Sequence, residues 1–541
     1  MKVRRATRRA AVLLLAGSLL VAACGGDDDD GSAADPGNAS TTAGLNAPGD
    51  SGPDDDVDPN GVLRIYYDLI GNGGPDFDPI KVRVSPAVYV QTLVYGSLFK
   101  AELDGTLKPH LADSFEIVDP STVKVTLKPN LQFSDGTPLD AEAAKFSILR
   151  TRDAQKENST LAAEVGQISD VTVESPTEFT IHLATPVAGA IVDRFPFGEF
   201  FMVSPTAVQN GVNLSETPVG AGPFLLDRVE PGRRFIYKKN PNYFAADEVR
   251  LAGVEVLHVE AGQARVNAIQ SNAVDVSDNL SYEQSKALAS TTWEVHTEVT
   301  DNVMFWGQVC KSRPPFDDVR VRQALNYAID RDAINQAVFD GKGEPMWGFY
   351  ASNSPLHDPS LDNFYPYDPE KAKALLAEAG QEDLRFETFF TPGASQRMVE
   401  IMQAQLGEIG VTLTPKPLTQ AADFFPDAKG APVNVFGLER QGIQKVARNL
   451  VPGSVGNVCN WDHAELNDLV NQLRALDPSA PEAVELWHQL QRLTLEEAMN
   501  WFGVFGMRAT AYNPDRVGDA YFVSNFQGRP EPDFTRIYIR K

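Results

Sequence analysis

The 541-residue chain contains three cysteines, seven histidines and six tryptophans. So few cysteines exclude a small scaffold stapled by disulfides, and so few histidines leave little from which to build a metal centre. A helical membrane span needs about 20 apolar residues; the run Ala10–Ala23 has 14 and includes Gly17 and Ser18. Positive charge is scarce too. Lys and Arg number 48 against 73 Asp and Glu, a net charge of −25, and five of the bases fall within the first ten residues. A nucleic-acid backbone is bound by clustered cations that displace counterions, so no nucleic-acid partner is expected. No Gly-x-Ser-x-Gly elbow, Walker loop, His-Glu-x-x-His or paired Cys-x-x-Cys is present, and there is no internal repeat. Nothing indicates an enzyme, and no cofactor or metal is expected.

What is present begins with an address. Residues 1–24 read as a removable signal, with a basic start followed by an apolar run. The run ends in Val21-Ala22-Ala23-Cys24-Gly25, which resembles the lipobox of bacterial lipoproteins, with Cys24 as the lipidated residue. Arg-Arg pairs at 4–5 and 8–9 leave the export route open between the general and twin-arginine pathways. From 25 to 60 there are ten aspartates, no Lys or Arg, and many Gly, Ser, Ala, Thr and Pro. Such a segment buries no core and reads as a disordered acidic linker, with a reach of about 30–36 Å before charge repulsion extends it. If Cys24 carries lipid, Cys310 and Cys459 remain as one possible pair, and an oxidising compartment favours a disulfide. The competing reading, a metal site in Cys459-Asn-Trp-Asp-His463, has no second ligand pair with metal spacing.

The folded part divides into two styles. Val62–Tyr67 is a strand candidate ending in the turn Gly71-Asn72-Gly73-Gly74. Alternating runs at 114–118 and 123–127, and again at 171–173 and 178–183, predict antiparallel hairpins, with a helix capped by Asp140 over 141–150. Later, strands at 386–390, 411–413 and 433–436 alternate with helices at 395–409 and 421–429, a βαβ pattern that implies parallel pairing. Asp318, Asp330 and Asp368 start further helices, with stops at Gly341 and Gly380. Residues 464–501 read as largely helical, and 502–512 and 533–539 as closing strands. Trp306, Trp347, Phe349, Tyr350, Phe436 and Trp461 fall in or beside predicted turns, as aromatic walls of a small-molecule cleft would.

Several stretches together carry a family resemblance. Leu107-Lys-Pro-His-Leu-Ala-Asp-Ser114, followed by Leu131-Gln-Phe-Ser-Asp-Gly-Thr-Pro138, resembles the signature block of solute-binding protein family 5, the oligopeptide-, dipeptide- and nickel-type receptors of ABC importers. Pro218–Phe224, Asn240–Phe244, Phe316–Leu325 and Tyr367–Ala372 continue the blocks in order, so that the resemblance spans about residues 61–541.

The resemblance implies an α/β, periplasmic-binding-protein-like fold of two lobes around a hinge, with an extra inserted domain (cluster C type). On this reading lobe I comprises 61–100, 217–306 and 506–541, the inserted domain 101–216, and lobe III 307–505. A monomer would capture a small solute, a peptide first of all, between its lobes and deliver it to a membrane permease driven by a separate ATPase. The alternatives are a lipid-anchored cell-envelope enzyme, or a binder or sensor of another solute or metal complex. In peptide-binding members an aspartate in a Tyr-Pro-Asp-Pro-like stretch anchors the amino group; here Phe436-Gly-Leu-Glu439-Arg-Gln441-Gly stands in its place. The loop that carries an arginine for the peptide carboxylate is here Thr391–Ser395, without arginine. The expected ligand-binding residues are Asn72, Trp306, Trp347, Phe436, Glu439, Gln441 and Trp461.

Overall fold

The computed structural model describes residues 56–67, 76–81, 90–156, 163–260, 262–390, 393–418, 433–438, 442–454, 457, 459–524 and 530–541. The expected signal at 1–24, most of the expected linker at 25–60, Asn72 and the expected helix at 421–429 lie outside them.

Alternation of apolar and polar residues builds the first sheet. Val123, Val125 and Leu127 on one strand, and Phe179, Ile181 and Leu183 on another, point to one buried face, as the two-residue strand period dictates. Both hairpins form as expected, the first from Ala112–Asp119 and Thr122–Leu127, the second from Ile168–Ser175 and Glu178–Leu183. Their inner strands pair antiparallel, giving four strands in one sheet. The helix Ala141–Gln155 packs on it, five residues longer than expected. Asp140 accepts a hydrogen bond from the Ala143 amide at 3.0 Å to cap it.

Among the described residues, a sheet of eleven strands organises most of the rest. At one end Val62–Tyr67 runs parallel to Gly253–His258 and to Val276–Ser281. At the other, Arg385–Phe390 lies between Thr412–Pro417 and Val433–Leu438, all parallel, with the helix Ala394–Glu408 between the first two in sequence. The βαβ reading of this region therefore holds. Two long strands, Glu294–Val309 and Asn500–Tyr512, run antiparallel through the middle and join the two ends. Their register breaks between Val299 and Met304 and again between Phe305 and Trp306.

Asp318, Asp330 and Asp368 cap the helices Val319–Tyr327, Arg331–Phe339 and Pro369–Glu378, each side chain accepting from a first-turn amide. Of the expected strand at 533–539 only Tyr538–Ile539 forms, paired with Val517–Gly518. The preceding residues turn instead, because the Asp533 carboxylate accepts from the Thr535 amide at 3.0 Å and from its hydroxyl at 2.6 Å. Cys310 and Cys459 are joined in a disulfide. His463, the metal candidate beside them, instead starts the helix Ala464–Ala475, its Nδ1 accepting from the Leu466 amide at 3.3 Å. Among the described residues no helix is long and apolar enough to cross a membrane.

Candidate functional site

A cavity of about 500 Å³ lies between remote parts of the chain, within the size range of small-molecule sites. Residues from 101–115 and 193–197 form one side; residues from 350–356, 442–443 and 473–487 form the other, with Ser524 at the margin.

Local structure fixes each wall. After the short helix Ala188–Val192 the chain makes consecutive turns, Arg194 N–H to Ile191 O and Phe197 N–H to Arg194 O, both at 3.0 Å. These turns present Asp193, Arg194 and Phe197 to the cavity. Opposite, Pro481 opens the helix Pro481–Glu496 at a position where its missing N–H costs nothing. The same helix face that buries Ala483, Trp487 and Leu490 brings Ala483, Val484 and Trp487 to the cavity. The Tyr350 ring meets Trp487 edge-on, with centroids 5.2 Å apart, the arrangement that aromatic quadrupoles favour.

The charged groups on these walls are unequal in number. Among the described residues the carboxylates Asp104, Asp193 and Asp477 line the cavity against one cation, Arg194. Asp104 accepts from the Thr106 amide at 2.8 Å, and Asp477 from the Ser479 amide at 2.8 Å and hydroxyl at 2.6 Å, so both are oriented by their own turns. Burial would lower the pKa of the Arg194 guanidinium, but Glu199 and Asp193 hold it above its ordinary value. Its Nη2 donates to Glu199 at 2.7 Å, and it lies over the Phe197 ring at 4.6 Å.

A second chamber of about 70 Å³ shares the walls Ala101, Pro196, Phe197 and Ser524 with the first. His110 sits on its wall, with Nε2 at 3.0 Å from the Tyr243 hydroxyl and Nδ1 at 3.4 Å from the Ser97 hydroxyl. Burial, aided by Lys100, lowers the imidazole pKa to about 3, so it is neutral. Burial would raise the pKa of the Asp533 carboxyl; Lys100, donating at 2.8 Å, and Thr535 hold it below its usual range.

The residues expected from sequence are placed as follows. Asn72, Glu439, Gln441 and Cys24 lie outside the described residues. Trp306 and Phe436 sit in strands rather than turns, as direct partners across Glu294–Val309 and Val433–Leu438. Phe436 lies six residues before Gly442, which lines the cavity. Trp347 is half-buried against the core, with the Arg331 guanidinium 4.6 Å from its ring, three residues before Tyr350. Trp461 stacks on His463 at 5.2 Å and covers the Lys311 ammonium at 5.3 Å, beside the disulfide. Neither ring lines the cavity. Of the aromatic group named from sequence, Tyr350 reaches it and Phe349 is core. Arg194, Phe197 and Trp487 escaped sequence reasoning. Trp487 occupies a regular helical stripe and reads as core; an arginine inside the Phe-rich stretch 194–201 was the available signal for the other two.

Comparison with known proteins agrees with this architecture. Residues 106–442 match the family model of bacterial extracellular solute-binding proteins, family 5 Middle. The glutathione-binding protein GsiB of Pectobacterium atrosepticum is 28% identical over 395 residues, covering 69% of this chain and 72% of its own. The nickel-binding periplasmic protein of Escherichia coli K12 is 26% identical over 351 residues, 60% of this chain and 66% of its own. In fold, the substrate-binding protein CtaP of Listeria monocytogenes superposes with a TM-score of 0.74 at 22% identity, covering 89% of this chain and 99% of its own. DppA of Helicobacter pylori, in complex with the peptide STSA, gives 0.73 at 18% identity, covering 90% and 99%. The chain belongs to the family 5 extracellular solute-binding proteins, the extracytoplasmic components of ABC importers that capture a small solute without transforming it.

Proposed function

We propose that the solute is a short peptide or peptide-like compound bearing a positively charged amino group, held in the 500 Å³ cavity. The single observation that carries this reading is the cavity's composition among the described residues: the aromatic rings of Phe115, Phe197, Tyr350 and Trp487 beside three carboxylates, with the one cation described there, Arg194, already held by Glu199. Aromatic faces and carboxylates together suit an ammonium group on an amphipathic body. Relatives whose names specify glutathione, and a fold neighbour in complex with the peptide STSA, lie in the same chemical range.

The expected residues Asn72, Trp306, Trp347, Phe436, Glu439, Gln441 and Trp461 would serve the solute from the region adjoining this cavity, with Glu439 as the amino-group anchor. The register breaks near Val299–Trp306 suit a hinge between lobe I and lobe III. Lipidation of Cys24 would tether the protein by its acidic linker to the outer face of the cell membrane, beside the permease and ATPase it serves.

The test is to identify what the purified protein retains, by denaturing it and analysing the released small molecules by mass spectrometry. A ladder of short peptides or one amine-bearing compound is the expected result. A solute with no cationic group overturns the charge reading.

A further inference from the structure

Beside the cavity, the short helix Ala188–Val192 packs on the helix Ala464–Ala475 and the residue that ends it. Gly189 is fully enclosed at this seam, and a Cβ there would collide with the Leu476 carbonyl. Any side chain at 189 would therefore force the two backbones apart. Nearby, Arg474 Nη2 donates to Glu164 Oε1 at 3.2 Å, joining the same two regions across 310 positions of sequence. Glu164 is 3% exposed, and burial raises its pKa against the opposing pull of Arg474. The pair is incompletely satisfied: Glu164 Oε2 and Arg474 Nε have no hydrogen-bond partner among the described residues, and neither does Arg194 Nε. The residues flanking the seam, Asp193 and Arg194 on one side and Leu473 and Asp477 on the other, are themselves cavity walls.

An ion pair with a single long bond and orphaned polar atoms recovers little of its desolvation cost. Opening it returns those atoms to water, so the ion pair itself adds little to holding the seam shut. A contact made and broken in each cycle is served by an ion pair of that kind.

We propose that Gly189–Leu476 and Glu164–Arg474 form a latch that is made when the two sides of the cavity close and broken when they part. Gly189 and the ion pair are thus positioning residues for solute capture. This rests on the reading that the solute occupies the large cavity, since a latch at its rim couples to binding only if binding happens there.

The experiment measures distances between spin labels at Glu174→Cys and Glu485→Cys, both exposed and on opposite sides of the seam. It uses the full chain with Cys24→Ser, so that only the introduced thiols react. Three preparations are compared: protein as purified, refolded protein freed of solute, and refolded protein with glutathione added as a probe. The latch predicts a short-distance population in at least one preparation. Gly189→Val empties it, and Glu164→Gln, which keeps the side-chain shape, reduces it, with the thermal midpoint of Glu164→Gln close to that of the parent.

A short distance found in no preparation, or one that both variants leave untouched, overturns the proposal. So does a Glu164→Gln protein that loses stability as a core variant would, which would make the contact permanent; this arm stands even if Gly189→Val fails to fold. Trp487→Ala separates the two readings. It lines the cavity but not the seam, so unchanged solute retention in Trp487→Ala defeats the cavity reading, whereas the latch is judged by the distances and by the thermal midpoint of Glu164→Gln.

Discussion

Two buried charge clusters in this molecule are built to opposite standards. Asp275, fully buried, accepts from the Arg64 amide at 2.9 Å, Arg64 Nε at 3.0 Å, Arg64 Nη2 at 2.6 Å and Arg516 Nε at 2.7 Å. It ties the first strand, Val62–Tyr67, to the chain leaving the long strand Asn500–Tyr512, and the Arg64 pKa is raised, first by its hydrogen bond to Asp275. Glu164 and Arg474 share one bond and leave two polar atoms orphaned. Full satisfaction is what makes a buried charge tolerable, so the first cluster belongs to a part that stays assembled. The second marks a boundary that opens. Stability should therefore respond strongly to the first and weakly to the second, and solute capture the other way round.

The sharpest break in that contrast is Asp275→Ala, which removes the buried acceptor of four hydrogen bonds and leaves the Arg64 amide without its partner. A loss of about 3–5 kcal/mol in unfolding free energy is expected from denaturant titration. Next, reducing the Cys310–Cys459 bridge, which spans 149 positions, should cost about 2–4 kcal/mol through the freed unfolded chain.

His110, on the small chamber's wall, gives a pH signature. Its pKa is about 3 in the folded protein and near 6.5 when unfolded. Below pH 6.5 the unfolded chain binds the extra proton. The stability from neutral His110 is thus complete above about pH 6.5 and is lost as the pH falls toward 3, by at most about 1.4 kcal/mol per pH unit. His110→Gln should flatten the wild-type stability profile in that window by this amount. Smallest is Glu164→Gln, expected to change stability by less than about 1 kcal/mol while altering solute retention. A Glu164→Gln loss as large as that of Asp275→Ala would erase the distinction.

Much of the fold was legible because its signals are local. The Val123/Val125/Leu127 alternation, the aspartate caps at 140, 318, 330 and 368, and the 394–408 helix between parallel strands each need only a few neighbouring residues to be read. The strand expected over 533–539 failed where a hydrogen bond from the Thr535 amide to the Asp533 carboxylate competed with the ladder. Little of the site could be read, for a reason of geometry. Its walls come from segments that lie hundreds of residues apart, and Trp487 and Phe197 obey the same periodicity or clustering as core residues. Trp306 and Phe436 were named separately, and only the strand register makes them partners. Glycine 189 is invisible in sequence, since the collision that makes it necessary involves the carbonyl of Leu476.

The most direct test of solute capture between these walls is native mass spectrometry of the purified protein beside its Trp487→Ala variant. The account predicts a bound mass of a short peptide or amine-bearing solute on the parent, released on denaturation and absent or much depleted in a folded Trp487→Ala protein. The same adduct held at equal occupancy by both proteins would contradict it and move the site elsewhere.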